Sequence, residues 1–110
     1  LLNKLNKKEE AAKIMQSALD KATVMEIHNY GRRLLTENKI KEAVDIFEMN
    51  YKKFNGAWPT SAGLMRGYSA MGDLKKALEY ANKAVEQSPS AEIKKIMVTA
   101  AETLSKGKAL

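Results

Sequence analysis

A chain of 110 residues, 45% hydrophobic and 29% charged, suits one small soluble domain. The absence of cysteine excludes disulfides, thiolate metal sites and cysteine nucleophiles, and no apolar run approaches the roughly 18 to 20 residues of a membrane-spanning helix. The net charge of +6 comes mainly from sixteen lysines spread between Lys4 and Lys108, a distribution that describes a solvated surface rather than a nucleic-acid patch.

The opening stretch, LLNKLNKKEE, lacks an initiating Met, a long apolar core and a cleavage site. The chain therefore reads as an internal fragment or a processed product, and its compartment stays unassigned. Only Pro59 and Pro89 interrupt it, and apolar residues recur at intervals of three and four. That pattern predicts helices near 2–21, 24–37, 40–54, 60–71, 74–87 and 91–105.

In the first helix, Ala11 and Ala18 stand seven apart, like Ala77 and Ala84 further on, while Leu2, Leu5 and Met15 form an apolar face without its cover. Such a face calls for a cap or a neighbour, and self-association through this end is the expectation. Thr23 and Glu26 offer a capping box for the second helix, Asn38 and Gly72 stand where left-handed closing turns are needed, and Asp73 can cap the fifth helix. Trp58 precedes Pro59 as an expected hydrophobic staple for the fourth helix. The last helix gathers Ile93, Ile96, Met97, Ala100 and Leu104 on one stripe, the pattern of a cap with a polar outer face.

Pairs 34 residues apart give the organisation: Tyr30 and Leu64, Arg32 and Arg66, Leu34 and Tyr68, Asn38 and Gly72, Ile40 and Leu74, Ala43 and Ala77. A period of 34 filled by two antiparallel helices resembles the tetratricopeptide (TPR) repeat. Repeat one carries Tyr30, Gly31, Leu34, Ala43 and Phe47; repeat two carries Leu64, Tyr68, Gly72, Ala77, Ala84 and Pro89. The resemblance implies an all-α, right-handed TPR-like solenoid of antiparallel helix pairs with a C-terminal capping helix. Its divisions are a partial repeat over 1–22, repeat one over 23–56, repeat two over 57–90 and the capping helix over 91–106. Small residues at Gly31, Ala43, Ala77 and Ala84 are expected where paired helices cross, with Phe47, Leu64 and Tyr68 filling the spaces beside them.

The strings YGRRLL and GLMRGYSAMGD also resemble the helical C-terminal segment of a group of bacterial exported proteins with an uncharacterised N-terminal β domain. This likeness, over roughly residues 24 to 108, implies an extracytoplasmic address and a missing partner domain, and it supplies no activity.

Chemistry is sparse. His28 is the lone histidine, read as a surface residue, and no zinc-binding pair, nucleophile elbow or phosphate loop is present. Neither catalytic residues nor metal ligands nor a cofactor are expected. All three arginines, Arg32, Arg33 and Arg66, fall on first helices of repeats. In the resembled repeat family, the position of Arg32 and Arg66 faces a concave groove. His28 and Asn29 lie one turn before Arg32, whereas Ala62 and Gly63 lie one turn before Arg66 and leave room. A groove of His28, Asn29, Arg32 and Arg66 would take carboxylates of an acidic peptide or of the missing domain; local ion pairs or aromatic stacking are the alternative use of the arginines. The expected function is a non-catalytic protein-interaction scaffold without membrane contact. Its rivals are an RNA-binding helical repeat, disfavoured by the scarcity of groove aromatics, and an accessory domain of an upstream enzyme.

Overall fold

A computed structural model describes the backbone of residues 4–110 and the side chains of Glu10 and residues 13–110. Among the described residues the chain is all-helical, with helices α1 (Lys4–Lys21), α2 (Val24–Thr36), α3 (Ile40–Lys53), α4 (Trp58–Met71), α5 (Leu74–Gln87) and α6 (Ala91–Ser105). Connections of two to four residues join the helices, and each helix from α3 onward folds back on its predecessor. α2 packs on α3, α3 on α4, α4 on α5 and α5 on α6, and α2 also meets α4, a packing compatible with a helical repeat.

The helix ends follow local chemistry. Thr23 and Glu26 close the expected capping box: Thr23 Oγ1 accepts from the Glu26 N–H at 3.2 Å and Glu26 Oε1 accepts from the Thr23 N–H at 3.0 Å. The Thr23 backbone donor holds the Glu26 carboxyl below its usual range. Asp73 caps α5 by accepting from the Lys76 N–H, and Ser90, which the sequence reading passed over, caps α6 through the Ile93 N–H. α4 begins two residues earlier than the pattern predicts, at Trp58, because Pro59 sits in the first turn, where a missing N–H leaves no helical bond unmade.

The 34-residue register is written into the backbone. Asn38 and Gly72 both adopt left-handed φ, 61° and 90°. After them, the Lys39 N–H donates to the Leu34 carbonyl at 2.8 Å and the Asp73 N–H to the Tyr68 carbonyl at 2.9 Å. These are the closing bonds of a left-handed helix cap, made twice at equivalent positions. Ala43 and Ala77 follow, both fully buried as helix-crossing positions require.

The core has two parts. Leu34, Ala43, Phe47 and Leu64 fill the space among α2, α3 and α4; Ala62, Met65, Ala77, Ala81, Ala84, Met97 and Leu104 fill that among α4, α5 and α6. Trp58 packs half-buried against the second part. Fully buried Asn50 ties α3 to the start of α2, its Nδ2 donating to the Val24 carbonyl at 3.1 Å.

The Phe47 ring also lies close against helix backbone. A Cβ added at Gly63 would stand 2.6 Å from Phe47 Cδ1, one at Gly67 would stand 3.0 Å from Phe47 Cδ2, and one at Gly31 would also overlap the ring. Three helical glycines on two helices thus form a slot for one aromatic side chain.

α1 joins this body at its C-terminal end. Leu19 is buried, and Lys53 Nζ donates to the Leu19 and Asp20 carbonyls at 2.7 Å, satisfying groups that the helix end leaves open. Ala18 is exposed, unlike fully buried Ala84 with which its spacing was compared, and Met15 is 43% exposed. The side chains of Leu2, Leu5 and Ala11 lie outside the described residues.

The slot yields a test with a definite sign. Replacing a helical glycine with alanine normally stabilises by about 1 kcal/mol through helix propensity. At Gly63 the overlap with Phe47 outweighs this gain, and Gly63→Ala is expected to lose about 1 to 2 kcal/mol. Adding Phe47→Leu reopens the space, so urea melts should show the double variant less destabilised than the sum of the singles. Strict additivity would separate Gly63 from the ring.

Candidate functional site

α2 and α4 lie side by side, and equivalent positions on them face the same space. Arg32 and Arg66 line one pocket of about 200 Å³, bounded also by Leu35, Thr36, Ala70 and Leu110. Arg32 is exposed and Arg66 is half-buried. Two residues 34 apart in sequence thus border one space.

Among the described residues no acidic side chain lines the pocket or lies within 4.0 Å of either guanidinium. Residues three and four positions away on the two helices are His28, Asn29, Leu35 and Thr36 around Arg32, and Ala62, Gly63, Ser69 and Ala70 around Arg66. None is acidic. Among the described residues the one ion pair within 4.0 Å joins Lys39 to Glu37, and every cation over an aromatic ring is a lysine. The local partners that offered an alternative use for the arginines are thus not engaged. Burial, then the facing Arg32, pulls Arg66 below its ordinary value, and a guanidinium so shifted stays charged at neutral pH.

His28 is not on this surface, as the sequence reading expected, but beneath it. Only 7% of it is exposed, and its ring centroid lies 5.8 Å from that of Phe47. The cause is Gly63: a Cβ there would come within 3.2 Å of His28 Nδ1, so the room opposite the histidine, seen in the sequence as space for a ligand, is occupied by the imidazole and by Phe47. His28 supports the floor of the arginine pocket and does not line it. Asn29 is exposed on α2 and likewise does not line the pocket.

Burial of His28, reinforced by Arg32 and Arg66, lowers its pKa to about 4, against an ordinary value near 6.5. Its Nδ1 is buried without a hydrogen-bond partner. The neutral ring is the one that fits beneath two guanidinium groups.

Two other surfaces are different in kind. A cavity of about 600 Å³ between α1 and α3 mixes Asp20, Asp45 and Glu48 with Lys52 and Lys53, so both signs of charge line it. Where α3, α4 and α5 meet, Tyr68 stacks on Tyr80 at 5.8 Å and Tyr51 meets Tyr80 edge-on at 5.5 Å, while Glu48 accepts from the Tyr68 hydroxyl. Lys83 lies over both Tyr51 and Tyr80. These groups satisfy one another. Among the described residues no cluster of three or more His, Asp or Glu side chains could hold a metal ion, and no helix is long and apolar enough to cross a membrane.

No family model, curated protein or solved structure matches the chain.

The histidine makes stability pH-dependent in a fixed direction. Because its folded pKa lies below its unfolded one, the unfolded chain binds the extra proton first, and stability falls as pH drops from about 6.5 through about 4. Allowing for solvent screening at the open rim, the loss attributable to His28 is about 2 kcal/mol. Urea unfolding at pH 7 and pH 4 should show wild type losing that much more than His28→Gln. Equal losses would place the imidazole in water.

Proposed function

We propose that the chain is a non-catalytic interaction module: a right-handed, TPR-like pair of helical repeats whose groove, floored by α2 and α4, binds an acidic peptide segment through Arg32 and Arg66. The segment belongs either to another protein or to a further domain of the same polypeptide. One observation carries the reading: two arginines, 34 residues apart in the repeat register, share a pocket to which no acidic side chain contributes. Holding like charges together without a counter-ion has a cost, and an incoming anion removes it.

Arginine suits this role better than lysine. Its planar guanidinium takes a carboxylate through two parallel hydrogen bonds, whereas an ammonium acts as a point charge. Packed helices stand about 8 to 10 Å apart, and an extended peptide advances about 3.3 Å per residue. Carboxylates about three residues apart then match the two arginines. Partial exposure of both groups makes binding weak and sensitive to salt.

Calorimetric titration of a blocked peptide with two acidic residues three apart, against its Asn/Gln analogue, tests the reading. Wild type should bind the acidic peptide alone, and raising salt from 50 to 500 mM should weaken it several-fold, because screening shortens with ionic strength. Arg32→Lys or Arg66→Lys should weaken binding about fivefold, equivalent to about 1 kcal/mol for a partly exposed pair, and Arg32→Ala with Arg66→Ala should abolish it. Equal affinity of wild type and the double alanine variant would remove the groove assignment. Tight binding of single-stranded RNA that ignores the arginines would install the nucleic-acid reading instead.

A further inference from the structure

The only histidine of the chain is buried beneath the two arginines. On α2, His28 stands one turn before Arg32. Across the seam it faces Gly63, where a Cβ would come within 3.2 Å of His28 Nδ1, and Gly63 stands one turn before Arg66 on α4. The matching offsets put the imidazole under both guanidinium groups, and both act on it.

What surrounds the ring decides its charge. From α3 the neighbour is the Phe47 ring, 5.8 Å away between centroids, which carries none. From α4 come Arg66 and the Pro59 carbonyl, and from α2 itself comes Arg32. Burial and the two arginines oppose the imidazolium, whereas the carbonyl favours it. Nδ1, the nitrogen that faces Gly63, is buried without a hydrogen-bond partner.

Burial is fixed by the fold, but the contribution of the arginines is not. An anion accepted by Arg32 and Arg66 brings negative charge to about one helical turn from the ring and cancels part of the opposition from the guanidinium groups. The imidazolium then costs less in the complex than in the free protein. Burial remains the larger cause, so the pKa of His28 in the complex lies between the free value of about 4 and the ordinary one near 6.5.

We propose that anion binding at Arg32 and Arg66 is linked to uptake of a proton by His28, so that the groove holds its ligand more tightly in mild acid than at neutral pH. The proposal rests on the anion-binding reading above and adds the regulation of that site. Linkage fixes the sign: a ligand that eases protonation is itself bound more tightly by the protonated protein, and by the same factor. His28 acts through the arginines and touches no ligand. Near neutral pH the ring is uncharged with or without ligand, and the effect fades.

The probe is the blocked hexapeptide Ser-Xaa-Ser-Ser-Xaa-Ser in which Xaa is cysteic acid. Its sulfonates stay ionised in mild acid, so a proton taken up on binding belongs to the protein. Calorimetry at pH 4.5 in two buffers of different ionisation heat counts that proton. Because the chain has one histidine, its ring signal can be followed in a pH titration without ambiguity. Wild type should bind about threefold more tightly at pH 4.5 than at pH 7, the return of a minor share of the His28 shift. Binding at pH 4.5 should take up a proton, and the His28 midpoint should rise at saturation. His28→Gln should show neither the uptake nor the pH dependence. Without ligand, Arg32→Ala should raise the His28 midpoint, since one opposing charge is gone. An affinity that ignores pH, with a His28 midpoint unmoved at saturation, overturns the linkage, while the groove stands provided that binding still requires both arginines. A midpoint unmoved by Arg32→Ala also overturns the linkage, by separating the imidazole from the charge above it. No binding at either pH overturns the groove and the linkage together.

Discussion

One aromatic ring sets the spacing on which the rest depends. Phe47 of α3 is fully buried against Gly31 of α2 and Gly63 and Gly67 of α4, so three helices approach at backbone distance around a single side chain. Each glycine costs its helix about 1 kcal/mol relative to alanine, and burial of the ring stabilises by about 2 to 3 kcal/mol. The exchange is close to even where it occurs. Its consequence is positional: α2 and α4 are held near enough that residues adjoining the slot glycines, Arg32 next to Gly31 and Arg66 next to Gly67, share a surface. Arg32 and Arg66 occupy that surface, and His28, pressed beside the ring, fills the layer between the slot and the charges.

Charge is then distributed unequally between the faces. Where α3, α4 and α5 meet, lysines lie over tyrosine rings, Tyr68 is hydrogen-bonded to Glu48, and Lys83 Nζ donates to the Tyr51 hydroxyl at 3.3 Å. Each charge there has a partner within the fold. On the α2 and α4 face the two guanidinium groups have none among the described residues, and the polar group beneath them is a neutral imidazole whose protonation they oppose. That arrangement is the basis of the proposed anion-binding surface.

The repeat register was legible in the sequence because it is imposed by backbone chemistry that few residues satisfy. Asn38 and Gly72 mark left-handed turns, Ala43 and Ala77 mark close crossings, and both signals recur at 34. Arg32 and Arg66 stand at the same separation and line one pocket. What stayed hidden depends on packing between elements. Gly63 looks like vacant space in one dimension, and only the fold shows Phe47 and His28 filling it. Asn50 carries no sequence mark of its bond to Val24, since a polar residue on an otherwise apolar face reads as ambiguous until its partner is placed. The hydrogen bond from the Leu110 N–H to Ser69 Oγ, 2.7 Å long, spans 41 positions and follows no periodicity, so no pattern could have announced it. Ala18 shares the alanine spacing of α5 yet lies exposed, because spacing states which residues share a helix face and not whether a neighbour covers that face.

The central claim is that the glycine slot brings Arg32 and Arg66, and not their neighbour Arg33, to one anion-binding surface. The guanidinium Nε–H resonances of the three arginines report this directly, since a carboxylate that accepts from a guanidinium shifts them. During titration with an acidic peptide, the account expects the Arg32 and Arg66 signals to move together with a single binding curve while that of Arg33, exposed on α2 outside the pocket, stays in place. Movement of all three alike, or of Arg32 without Arg66, would contradict it.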